Sequence, residues 1–164
     1  MRKAPPPIAS SPRSSEGFPP TTAAPKGERW GSGEIRIDSV TFHAGGEATH
    51  IARSGEPFEV RLGYRADQER DAVFGITIYR DDGVSVYGTN TKNDGTIVHA
   101  KREGHVSFCT EHLALLPGQY ELDVAVTSPD LHAYDYHSKR YTFRVTGTPG
   151  EMGTARIDHR WEAM

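Results

Sequence analysis

From residue 35 onward, apolar and polar residues alternate with a period of two along most of the chain, the pattern of strands that bury one face. Phe58, Val60, Leu62 and Tyr64 alternate with Glu59, Arg61, Gly63 and Arg65, and Phe74, Ile76 and Ile78 alternate with Gly75, Thr77 and Tyr79. The same rhythm places Val84 and Val86, then Val106 and Phe108, then Tyr120, Leu122, Val124 and Val126, then Tyr141, Phe143 and Val145, on buried faces. Ile35, Ile37, Val40 and Phe42 change parity once, which predicts a bulge near Asp38-Ser39. Turn residues separate the runs: Ala44-Gly45-Gly46, Ser54-Gly55-Glu56-Pro57, Asp81-Asp82-Gly83, Asn93-Asp94-Gly95 and Leu116-Pro117-Gly118. No amphipathic helix is supported. The prediction is an all-β fold, an immunoglobulin-like antiparallel β-sandwich of about seven or eight short strands.

The two ends of the chain break this rhythm. Residues 1–27 hold seven of the 11 prolines, with Ile8 and Phe18 as the only large apolar side chains, too little to offset the entropy of ordering. They read as a disordered linker or tail, and structure is expected to begin near Arg29-Trp30. The remaining 137 residues suffice for one domain with a real core, residues 28–164. Past Val145, the run Thr146-Gly147-Thr148-Pro149-Gly150-Glu151-Met152-Gly153 ends the last core strand. Residues 154–162 then read as one more strand on a flexible hinge. Such an arm can cover its own sheet edge or that of a second subunit, with Ile157, Arg160 and Trp161 at the interface of a strand-swapped dimer.

Charge and composition narrow the chemistry. The net charge of −3 is uneven: Arg2, Lys3, Arg13 and Lys26 against Glu16 make the first 27 residues +3, leaving −6 on the rest. An acidic domain without clustered Lys or Arg is not built for nucleic acid. No apolar run approaches the roughly 20 residues needed to span a bilayer, and Met1-Arg2-Lys3 leads into Ala-Pro-Pro-Pro, so neither membrane insertion nor a signal peptide is expected. The single Cys109 excludes an intramolecular disulfide and fits a reducing compartment, the cytoplasm.

Catalytic scaffolds are missing. There is no phosphate-cradling Gly-x-x-x-x-Gly-Lys-Ser/Thr, no dinucleotide fingerprint and no Gly-x-Ser-x-Gly elbow, so ATP turnover and serine hydrolysis are not expected. His132-Ala-Tyr-Asp-Tyr-His137 is the densest group of metal-ligand types among eight histidines, but its spacing matches no zinc pair or finger. A loop with Tyr134 packed and Asp135 capping a turn accounts for it, and no cofactor is expected. Cys109 near His105 and His112 has nothing in sequence to lower its pKa and reads as a plain strand cysteine. Carboxylate pairs drawn from Asp67, Glu69, Asp71 and Asp123 are expected by chance among 22 acidic residues.

The polar positions of the central strands are more informative. They carry Arg61, Gly63, Gly75, Thr77, Tyr79, Ser85, Tyr87, Asp123, Ala125 and Thr127 in place of the long Lys and Glu chains of a plain solvated sheet. Tyrosine rings stack on sugar faces, and short polar groups bond hydroxyls. The predicted glycan-contacting set is Arg61, Thr77, Tyr79, Tyr87, Asn90, Asp123 and Thr127. A Tyr- and Thr-rich outer face arising from strand preference alone is the competing explanation.

The segments Arg29-Trp30-Gly31-Ser32-Gly33-Glu34-Ile35-Arg36-Ile37, Val73-Phe74-Gly75-Ile76, Val86-Tyr87-Gly88-Thr89-Asn90-Thr91, Leu116-Pro117-Gly118-Gln119-Tyr120-Glu121-Leu122-Asp123-Val124 and His159-Arg160-Trp161 occur in an order that resembles the C-terminal domain of Wzt, the ATPase subunit of ABC transporters that export O-antigen polysaccharide. The resemblance spans about residues 28–162. It implies a noncatalytic carbohydrate-binding module at the cytoplasmic face of the inner membrane, reading the modified non-reducing end of an O-antigen-type polysaccharide. It also implies a homodimer by exchange of the C-terminal strand, and association with an ABC-transporter ATPase and membrane subunit. The family's ATPase domain has no counterpart here, as expected of a fragment or of a free-standing module. A dimerisation module that reads no sugar is the alternative, and a glycan-modifying enzyme is a third reading.

Overall fold

The computed structural model describes residues 26–163, so most of the predicted Pro-rich linker lies outside the described residues. Eleven strands and no helix make up the described part: β1 (Arg29–Trp30), β2 (Ile35–Ala44), β3 (Glu47–Ala48), β4 (Ile51–Arg53), β5 (Phe58–Ala66), β6 (Arg70–Arg80), β7 (Ser85–Asn90), β8 (Val98–Ala100), β9 (Glu103–Thr110), β10 (Gly118–Thr127) and β11 (Ala133–Thr146). One sheet runs β1-β11-β10-β6-β7, with β4 on β11 and β8 on β6; the other runs β3-β2-β5-β9. All pairings are antiparallel except β4 with β11. The fold is the expected all-β sandwich.

The inward residues are mostly those the alternation marks; Val84 is an exception, half exposed in the turn just before β7. Val60, Leu62, Leu122, Val124, Val126 and Val145 are buried between the sheets, and Phe42, Phe58, Tyr120 and Phe143 stack at one end with centroids 5.0–5.9 Å apart. Phe143 touches the other three rings. Truncating a ring so enclosed costs about 3–5 kcal/mol. The register of β2 on β5 skips between Ile37 and Ser39, where the parity change places a bulge.

Three expectations are revised. His132 to His137 is not a loop: Ala133 onward belongs to β11, and the alternation is hidden because the inward positions are polar, Asp135 and His137. Asp135 caps no turn; it bonds across the sandwich, as described below. The arm 154–162 forms no full strand, only a bridge of Ala155 to Leu115 flanked by Leu116 N–H to Thr154 O (2.8 Å) and Arg156 N–H to Ala114 O (3.0 Å). Beyond it Ile157 and Trp161 are 74% and 93% exposed. β1, β4 and β8 escape the sequence pattern because two or three residues carry no period.

β1 lies against β11 through Arg29 opposite His137 and Trp30 opposite Tyr136, and the chain then turns sharply at Gly31. Gly31 has φ of 138°, and a Cβ there would drive into the backbone carbonyl of Tyr134. Both the conformation and the close approach require glycine. The Gly31→Ala variant is expected to lose about 1–3 kcal/mol, read as a lower urea midpoint in circular dichroism; an unchanged midpoint would mean that the β1 turn does not contribute to global stability.

Candidate functional site

The predicted contact residues fall into three places. Thr77 and Tyr79 on β6 lie beside Asp123 and Glu121 on β10, on the outer face of the larger sheet. Arg61 is on β5 in the other sheet, because the chain crosses between sheets from β5 to β6; its Nε donates to Glu59 Oε1 at 2.9 Å. Tyr87 does not share the outer face either. The β6–β7 register passes from Ile78 opposite Tyr87 to Tyr79 opposite Ser85, so Val86 is an extra residue and the bulge turns Tyr87 to the inner side, next to Ile78. No single face carries all seven residues.

On the outer face, the Asp123 carboxylate is buried and organises its neighbours. Its Oδ2 accepts the Tyr136 hydroxyl at 2.6 Å and the Tyr79 hydroxyl at 3.1 Å, and its Oδ1 accepts the Lys139 N–H at 2.6 Å. Lys139, at φ of 43°, sits where β11 loops out opposite Asp123, and its ammonium lies 4.5 Å from the Tyr79 ring centre. Trp30 stacks on Tyr136 at 4.3 Å. Tyr79 and Tyr136 are themselves buried, and the Thr127 hydroxyl donates to the Ser128 carbonyl. Trp30, Tyr136 and Lys139 were not among the contact residues expected from the sequence; the Trp-Gly-Ser-Gly turn and the Tyr134/Tyr136 alternation were the available signals.

A groove opens elsewhere, along the edge where β7 of one sheet faces β9 of the other. It encloses about 560 Å³ over a floor of Ile78, Val86, Phe108 and Leu115. The Tyr87 ring, half exposed, lies 6.3 Å from that of Phe108. Past Phe108 a smaller pocket of about 90 Å³ is lined by Leu62, Phe74, Asn90 and Asp94. Asn90 is buried; its Oδ1 accepts the Asn93 N–H at 2.8 Å, while its Nδ2 has no hydrogen-bond partner.

Between the sheets a second carboxylate, Asp135, ties the N-terminal arm to both layers. It accepts Arg29 Nε and Nη2 at 2.8 Å each, the Ile37 N–H at 2.7 Å, and His137 Nε2 at 3.1 Å, while His137 Nδ1 meets the Tyr141 hydroxyl at 2.7 Å. Burial alone would raise the Asp135 pKa, but the bonds from His137, Arg29 and the Ile37 amide outweigh it and bring the carboxyl down to about 2. His132, at the other end of the same motif, is exposed and pairs with Ser32 Oγ at 2.9 Å, so the two histidines serve separate contacts. Partial desolvation, followed by the Glu59 charge, pushes up the thiol of the exposed Cys109, away from the thiolate needed of a nucleophile.

Two facing antiparallel sheets with an open edge groove define an immunoglobulin-like β-sandwich. The family model described as the Wzt C-terminal domain matches residues 26–157, and the chain belongs to that family. The crystal structure of the C-terminal domain of Wzt superposes with a TM-score of 0.76 at 19% identity, over 90% of this chain and 92% of that one. A Niemann-Pick type C2 protein from Japanese carpenter ant (TM-score 0.46, 10% identity, 74% of this chain and 98% of that one) and a β-glucosidase from Listeria innocua in complex with glucose (0.39, 12%, 74% and 16%) are weaker likenesses. No curated protein matches the chain by sequence.

The Asp135 contacts predict an acid limb of stability. A folded-state pKa below the ordinary 3.8 means that the stabilisation is complete above that value and is lost as pH falls toward 2. The shift is equivalent to about 2 kcal/mol. In urea titrations from pH 7 to pH 2, Asp135→Asn is expected to start less stable and to decline less steeply with acid than the parent; parallel curves would show that Asp135 is not the titrating group.

Proposed function

We propose that this chain is a noncatalytic module that binds the end of an O-antigen-type polysaccharide and couples that recognition to export by an ABC transporter, at the cytoplasmic face of the inner membrane. Membership of the Wzt C-terminal domain family carries this reading. The open aromatic side chain and hydroxyls of the edge groove support it, since a lining without charged residues suits hydroxylated rings better than charged polymers. No cofactor enters the scheme.

The dimer belongs to the same proposal. The arm leaves the body at residues 154–156, held to Ala114 and Leu116 by main-chain bonds, and then presents Ile157 and Trp161 to solvent. Gly150 and Gly153, with φ of 132° and 111°, give the preceding segment the backbone freedom to open. Exchange would set a second copy's arm in the same main-chain seat and bury Ile157 and Trp161, with Arg160 beside them. Burial of each apolar anchor is worth about 1.5–3 kcal/mol. A dimerisation role without sugar recognition would use the same arm.

Two measurements test the reading. Titration calorimetry with the O polysaccharide of the organism that encodes the chain is expected to give a dissociation constant in the micromolar to millimolar range, as open, wet sites do. A dimer with no heat of binding would favour the purely structural role. Deleting residues 151–164 is expected to convert dimers to monomers or aggregates in light scattering; an unchanged dimer would place the interface elsewhere.

A further inference from the structure

The geometry points to the β7–β9 edge groove as the seat of a neutral sugar ring, with the pocket beyond Phe108 taking a hydroxyl-bearing substituent of that ring. This inference rests on the glycan-binding reading above and specifies where and by what chemistry it operates.

Three observations carry it. The first is the shape and polarity of the floor. Tyr87 and Phe108, one from each sheet, form a tilted aromatic pair at 6.3 Å on a base of aliphatic side chains. Tyr87 keeps 49% of its surface exposed, so the ring is open to a ligand. Apolar C–H faces of a pyranose stack on such a surface.

The second is charge. Among the lining residues of the main groove there is no Asp, Glu, Lys or Arg; the rim carries Ser85, Thr110, His112 and Thr154. Hydroxyls and an imidazole suit a neutral hydroxylated ligand. The chain's own arm is the competing occupant, since Ala155, Ile157 and Trp161 fall on one face of an extended arm and Arg156, Asp158, Arg160 and Glu162 on the other.

The third is an unspent donor. Asn90 is 2% exposed, lines the small pocket, and has no partner for Nδ2 although its Oδ1 is engaged. A buried amide N–H without a partner costs free energy until a ligand oxygen accepts from it. Asp94 lines the same pocket and supplies an acceptor. A donor and an acceptor on the lining of a pocket of about 90 Å³ match a hydroxyl, and the carboxylate disfavours an anionic substituent.

Thr154 and Ala155 close one wall, with Arg80 Nη1 donating to Thr154 Oγ1 at 2.8 Å. The arm that we assign to dimer exchange therefore also borders the sugar.

The test is titration calorimetry of the full chain with O polysaccharide released by mild acid from the lipopolysaccharide of the encoding organism, using Tyr87→Ala and Trp30→Ala beside the parent, with light scattering and thermal melts on each. Tyr87→Ala, at an open position, is expected to keep its fold and to bind about five-fold more weakly or worse, while Trp30→Ala binds as the parent does. Asn90→Asp, which preserves the acceptor and removes the donor, is expected to weaken binding as well. Parent-like binding by a folded Tyr87→Ala overturns the groove, and loss confined to Trp30→Ala moves the sugar to the outer face, with the glycan-binding reading intact in both cases. A shift in dimerisation with unchanged sugar affinity in Tyr87→Ala would assign the groove to the arm and overturn the proposal. No binding by the parent removes the glycan-binding reading and this inference together.

Discussion

A carboxylate held between two apolar sheets is tolerated only when donors surround it, and Asp135 is surrounded by donors from three parts of the chain. Arg29 brings β1, the Ile37 amide brings β2 of the opposite sheet, and His137 is its neighbour on β11. The Ile37 N–H reaches it at the point where the β2–β5 register skips. The bulge, the N-terminal strand and the long β11 strand thus depend on one side chain. Removing it would leave the Ile37 amide and the His137 ring in the interior without their shared acceptor, a greater loss than the bonds alone.

That clamp decides which surfaces remain for function. With β1 fixed on β11, Trp30 packs on Tyr136 and the outer face of the larger sheet acquires its own hydrogen-bonded centre at Asp123. The opposite margin is walled on one side by Thr154 and Ala155 of the C-terminal arm. β7 and β9 end their respective sheets, and an apolar, uncharged groove lined by Phe108 lies between them. A sandwich that is tight at one margin and open at the other can bind a chain-like ligand without rearranging its core.

The period-two runs made the sandwich legible, because strands such as β5 and β10 present apolar residues to a single core and polar residues away from it. The β2 bulge was legible for the same reason. Tyr87 was misplaced because the β7 bulge at Val86 reverses parity without altering the local pattern of Val and Tyr. β11 was partly hidden because Asp135 and His137 occupy inward positions that parity reserves for apolar residues. Arg61 was grouped with β6 residues because alternation reports which face a residue takes within its strand, not the sheet to which that strand belongs. Asn90 was chosen as a hydrogen-bonding residue, and it is the position whose amide is left without a partner, although the pocket around it comes from strands far apart in sequence.

The central claim is that a sugar chain is recognised by this sandwich along its open margin, and backbone amide NMR of the full chain during addition of its O polysaccharide tests that claim most directly. The account predicts saturable shifts concentrated in residues 84–91 and 106–115, with the β1 and β4 amides unmoved. Spectra that do not change at millimolar sugar would contradict glycan recognition, and shifts centred on Trp30, Tyr79 and Lys139 would contradict the groove as its seat.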